Sequence, residues 1–140
     1  MIFISLILDG IFSKWINPLF TPLVLIFLYK NNDRYLSALL AGFIYDIAYT
    51  DTLFLNAIIF VLLLYLIELI FKKITFNFLN VVLISILIII LYRVSIFLIL
   101  VVINYIDFNL FNLLYGILYS LINIIFVIIY YFVSKKFKTL

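Results

Sequence analysis

The stretch FLNVVLISILIIILYRVSIFLILVVI, residues 78–103, decides the fold class. It is apolar on every face, carries a single charge at Arg93, and outruns the ~20 residues that take an α-helix through the hydrocarbon core of a bilayer. Its many β-branched residues would favour strands in water, but the run is continuous rather than alternating and far exceeds the ~10 residues of a barrel strand. A transmembrane helix follows. Outward from it, further apolar runs cover Met1 to Phe12, Leu19 to Tyr29, Tyr35 to Tyr49, Leu53 to Phe71 and Leu110 to Val133. The pattern predicts an all-α integral membrane protein, a bundle of about six transmembrane helices forming one domain over residues 1–140. The first run lacks a basic leader and a small-residue cleavage site, so it reads as a retained, short or tilted span rather than a removed signal peptide. Pro22 falls in a helix's first turn, where the amide proton it lacks would have no intrahelical partner.

Composition agrees. The 140 residues are 70% hydrophobic and 11% charged, with a mean hydropathy of +1.45, whereas soluble domains are roughly half apolar and about a quarter charged. Zero Cys and zero His exclude thiolate or imidazole metal sites, Cys or His nucleophile and base pairs, and any disulfide framework. Without a phosphate-binding glycine loop or a carboxylate pair at catalytic spacing, the expectation is a protein that is not an enzyme and takes no cofactor. The net charge of +3 does not point to nucleic acid, because the basic residues gather at span ends, where retention on the cytoplasmic side explains them. With six spans, one side receives Lys30, Arg34, Lys72, Lys73, Lys135, Lys136 and Lys138, and the other only Lys14. Both termini are therefore expected in the cytoplasm, with Asp51 and Asp107 in outer turns and the protein multi-pass in the cytoplasmic membrane.

Charges inside spans carry the most information, since an ionisable group near the bilayer centre costs ~3 kcal/mol on insertion scales and usually faces a partner or a cavity. At ~1.5 Å per residue, Asp9, Asp46 and Arg93 fall at similar depth in the outer half. Arg93 needs an anion, and Asp46 or Asp9 could supply it, either as an ion pair that only fixes packing or as part of a binding or coupling site. Glu68 lies one turn before Lys72 and suits an i,i+4 pair. Ala38 and Gly42 share one helix face, which allows close helix approach, within the bundle or toward another protein. The tyrosines and Trp15 fit an interfacial belt. The basic tail reads as a stop-transfer anchor or a lipid-headgroup contact.

From Pro18 to Ile67 the chain resembles the MreD family of rod-shape-determining proteins. The residues that carry the resemblance are Phe20-Thr21-Pro22-Leu23-Val24-Leu25, then Ala41-Gly42-Phe43-Ile44-Tyr45-Asp46, then Thr52-Leu53-Phe54-Leu55-Asn56-Ala57. Thr50-Asp51-Thr52 stands where that family usually turns on a glycine, and Arg93 is outside the family's pattern. The resemblance implies a non-enzymatic scaffold of the elongation machinery. It would bind an MreC-like bitopic protein and connect the MreB cytoskeleton to peptidoglycan synthesis, with Ala38, Gly42, Phe43, Asn56 and Ala57 as helix-packing or partner contacts. A second reading is a small-molecule-binding membrane subunit of an energy-coupling-factor transporter, for which Asp9, Asp46, Asn56 and Arg93 could converge on an outer pocket.

Overall fold

The computed structural model describes residues 2–16, 18–50, 52 and 54–138, with side chains to Lys136. Asp51, the span-starting residues Met1 and Leu53, and the side chain of Lys138 lie outside the described residues. In chain order the helices are α1 (Ile2–Phe12), α2 (Phe20–Leu28), α3 (Arg34–Tyr49), α4 (Leu55–Phe71), α5 (Phe78–Val102), α6 (Leu110–Ser120) and α7 (Ile124–Lys138). A 3-10 turn at Leu121–Asn123 joins α6 to α7, so the sixth apolar run is one interrupted rod that extends past the expected Val133. No strand occurs among the described residues, as the continuous apolar runs demand.

The rods are unequal. α5 and the stretch Leu110–Lys136 are long and apolar enough to cross a membrane, whereas α1 has 11 residues and α2 has 9. At ~1.5 Å per residue α2 extends only ~14 Å, about half a hydrocarbon core. Enclosure explains how so short a helix persists. Every residue of α2 from Phe20 to Ile26, and Leu28, is buried, because α1, α3, α4, α5 and α7 all pack on it. A helix that is apolar all round needs apolar neighbours all round, and one surrounded by protein need not match the lipid in length.

The outer helices keep apolar faces turned away from this core: Ile4 and Ile7 on α1, Ile58 and Leu62 on α4, Phe111 and Leu118 on α6 are all more than half exposed. Water would not tolerate so continuous an apolar surface, and lipid would. α6 is the extreme case, with Ser120 its one buried residue and α5 its principal neighbour.

Candidate functional site

Two aspartates organise the end of the bundle where α1 meets α2 and α3 meets α4. A helix leaves its first four N–H groups without intrahelical partners, and neither α2 nor α4 has a side-chain cap of its own, since Leu19 and Phe54 occupy the cap positions. The missing acceptor comes from the preceding helix in each hairpin. Asp9, in the last turn of α1, accepts from Phe20 N at 2.8 Å, Thr21 N at 3.0 Å and the Thr21 hydroxyl. Asp46, in the last turn of α3, accepts from Asn56 N at 2.9 Å, Asn56 Nδ2 at 2.7 Å, Ala57 N at 3.4 Å and Thr50 Oγ1 at 3.0 Å. A negative charge is favoured at a helix N-terminus, and where water is excluded these N–H groups must be met from within the protein. Both carboxylates are almost wholly buried.

The expected pairing of Arg93 with Asp46 or Asp9 is corrected here. The ion pairs among the described residues are Arg34 with Glu68 at 3.1 Å and Lys72 with Glu68 at 3.3 Å. Arg93 instead donates from Nε to Ser120 Oγ at 2.7 Å, and its buried Nη2 has no hydrogen-bond partner. The physical reason is twofold. Both carboxylates are already engaged by helix N-termini, and successive residues on a helix point ~100° apart. Thus Tyr92 faces the α3–α4 hairpin, where its hydroxyl donates to Asn56 Oδ1 at 2.7 Å, while Arg93 faces α6. The three charges do share one end of the bundle, but as two caps and a separate cation.

The small residues are used inside the chain. Ala38 and Ala41 are fully buried, and α3 packs more extensively on α4 than on any other helix. A Cβ added to Gly42 would lie 2.5 Å from Ala57 N and 2.6 Å from Asn56 O, so the backbone of α4 passes where a side chain would stand. Gly42, Asp46, Asn56 and Ala57 thus form one seam, and Tyr92 locks its far side. Phe43 is half-buried at its margin, its ring 5.2 Å from that of Phe54. Phe54 holds a left-handed φ of 64°, which is uncommon for a bulky residue and turns the chain into α4. Glu68 makes the expected bond to Lys72 and also receives Arg34 and the Tyr35 hydroxyl, the latter at 2.6 Å.

Sequence reasoning missed Tyr45, Tyr92, Ser120 and Asn123. An interfacial belt is expected of the tyrosines, but Tyr45 and Tyr92 are buried in the core. Asn123 Oδ1 accepts from Leu19 N at 3.1 Å, tying the 3-10 turn to the start of α2. Polar side chains in the middle of apolar runs, Tyr92 and Asn123 above all, were the available signal. A cavity of about 650 Å³ opens near Asp9, lined also by Lys14, Trp15, Tyr45, Tyr49 and Tyr119 among others.

A family model described as rod shape-determining protein MreD matches residues 1–140, the whole chain. No curated protein and no solved structure matches it.

Proposed function

We propose that this chain, which belongs to the MreD family of rod shape-determining membrane proteins, is a six-pass, non-enzymatic scaffold of the elongation machinery in the cytoplasmic membrane. In this reading it holds an MreC-like bitopic partner and so links the MreB cytoskeleton to peptidoglycan synthesis. The family match over the entire chain is the observation that carries the proposal. Physical features support it. The seam at Ala38, Gly42, Asn56 and Ala57 makes α3 and α4 a stiff unit, and Phe43 at its edge, with the exposed apolar face of α6, offers surface for a partner helix. Association in lipid depends on such close packing and on modest interhelical hydrogen bonds.

The six-pass layout with both termini inside rests on the basic residues at one end of the bundle: Lys30 and Arg34 lie beside the α2–α3 loop, Lys72 and Lys73 beside the α4–α5 loop, and Lys135 and Lys136 near the end of α7. The short α1 and α2 would cross as a hairpin enclosed by the longer rods. Because the chain has no Cys, single cysteines report topology directly. Thiol labelling from outside should reach Tyr105→Cys and miss Thr75→Cys, and the reverse would overturn the orientation. The scaffold role is tested by purifying the chain from cells that express the neighbouring bitopic protein. Retention of that protein supports the scaffold, and its consistent absence rejects it.

The cavity near Asp9 favours a second reading, a small-molecule-binding membrane subunit, since Trp15, Tyr45, Tyr49 and Lys14 line a space of ligand size. A thermal-shift screen of vitamins separates the two. Stabilisation at sub-micromolar concentration with no protein partner retained would promote this second reading.

A further inference from the structure

We infer that the cleft between α5 and α6 binds the phosphate of a membrane lipid, with Arg93 as its cation. The guanidinium is partly buried, and among the described residues it finds one neutral acceptor, Ser120 Oγ, leaving Nη2 without a partner. An unpaired charge in a low-dielectric setting is costly to keep; at the same end of the bundle Asp9 and Asp46 are committed to the starts of α2 and α4, and Asp107, in the α5–α6 loop near the cleft mouth, forms no ion pair with Arg93. The counter-anion therefore comes from outside the chain.

The surroundings specify its chemistry. Arg93 borders a cleft of about 160 Å³ whose lining includes Ile96, Phe97, Leu113, Asn112 and Gly116. A guanidinium offers a planar fork that fits phosphate oxygens, and the Asn112 amide adds a donor. A Cβ on Gly116 would meet nothing within 4 Å, so the α6 wall leaves room where the headgroup enters. The remaining walls are apolar and suit acyl chains. The space is large enough for a phosphate group and too small for a second helix. Phe111, Leu114, Tyr115 and Leu118 on α6 are all exposed, so the cleft opens on the apolar outer face of the bundle, where lipid can enter beside a docked partner helix. Arg93 stands nine residues before the end of α5, ~14 Å along the axis, so the headgroup is drawn below its neighbours, as charges within a span locally thin the bilayer.

The test uses the intact protein in dodecyl maltoside, which carries no phosphate, with thermal unfolding as the readout. Phosphatidylglycerol should raise Tm, and diacylglycerol with the same chains should not. Arg93→Gln should be at least as stable as the parent without lipid and should lose the response to phosphatidylglycerol, while Lys73→Gln, at the other end of the bundle, should keep it. If Arg93→Gln does not fold, Gly116→Leu, which fills the cleft and leaves the charge, should also lose the response. An unchanged response in either variant would overturn the proposal. Equal stabilisation by inorganic phosphate would assign the site to a soluble anion instead. If Arg93→Gln sheds the bitopic partner but responds to phosphatidylglycerol as before, the counter-anion is a protein carboxylate, and the lipid assignment fails.

Discussion

Asp46 in the last turn of α3 receives Asn56 N, Asn56 Nδ2, Ala57 N and Thr50 Oγ1, whereas Arg93 in α5 gives one hydrogen bond to Ser120 and keeps a buried nitrogen unpartnered. Both are charges set in apolar helices at the same end of the bundle. The α3–α4 hairpin satisfies its charge internally because a carboxylate can do structural work that the fold requires: it accepts from the free N–H groups at the start of the next helix. A cation on α5 has no equivalent use there, since helix N-termini offer donors and α6 is capped by its own Asn109, which accepts from Phe111 N and Asn112 N. The α3–α4 hairpin is thus closed, with its polar groups matched, whereas the α5–α6 hairpin leaves a buried donor unmatched.

The largest effect should come from forcing a side chain into the seam itself. Gly42→Leu forces a side chain into the backbone of Ala57 and Asn56, and because backbone cannot swing aside as a side chain does, α3 and α4 must separate. Overpacking typically costs about 1–3 kcal/mol, and here the whole hairpin contact is at stake, so the variant should fail to yield folded protein in mild detergent. Size-exclusion profiles check this. A monodisperse, parent-like Gly42→Leu would mean that α3 and α4 do not pack as described. The same substitution at Gly116, where a Cβ meets nothing, should leave the fold intact.

Next comes removal of the charge that holds the seam. Asp46→Asn keeps the shape but turns an amide toward Asn56 N and Asn56 Nδ2, leaving at least one buried donor unmet at roughly 1–3 kcal/mol. Asp9→Asn should do the same at Phe20 and Thr21. A clear loss of Tm is expected in both, and either variant matching the parent would show that helix capping by the preceding helix is not what these aspartates do.

How much of this was legible beforehand follows from the type of signal each feature leaves. Helix class and the positions of the rods were readable because twenty-odd continuous apolar residues admit few structures. Asp9, Asp46 and Arg93 stood out because charge in an apolar run is rare. What failed was the assignment of partners. Opposite charges at one depth suggested an ion pair, but the competing demand, orphan N–H groups at helix starts with Leu19 and Phe54 at the cap positions, is invisible until the hairpins are closed. Gly42 was legible as a small residue on one face, though not that the face would be filled by the chain's own α4. Tyr92 went unnoticed because tyrosine has an ordinary role at membrane surfaces, and only packing reveals that its hydroxyl reaches Asn56.

That hydroxyl gives a smaller test of the closed hairpin. Tyr92→Phe removes the bond to Asn56 Oδ1 while keeping the ring, 6.1 Å from that of Phe60. Interhelical hydrogen bonds in membrane proteins average about 0.6 kcal/mol, so Tm should fall modestly and by less than in Asp46→Asn. A loss as large as that of Asp46→Asn would make Tyr92 the true anchor of the seam.

The smallest effect should be at the opposite end, where Glu68 ties α3 to α4 through Arg34 and Tyr35 and also meets Lys72. Like Asp46 it is a carboxylate with several donors, but the Lys72 side chain is 65% exposed and that of Arg34 26%, so water and ions reach the cluster. Exposed ion pairs gain little over hydration and are screened by salt. Glu68→Gln should therefore lower Tm by less than Tyr92→Phe, and the difference from the parent should shrink further as salt is raised toward 1 M. Asp46→Asn should keep its full deficit under the same titration, because the seam is closed to ions. Parallel salt curves for the two variants would show that both carboxylates sit in equivalent surroundings, and the distinction between a sealed end and a wet end of the α3–α4 hairpin would be lost.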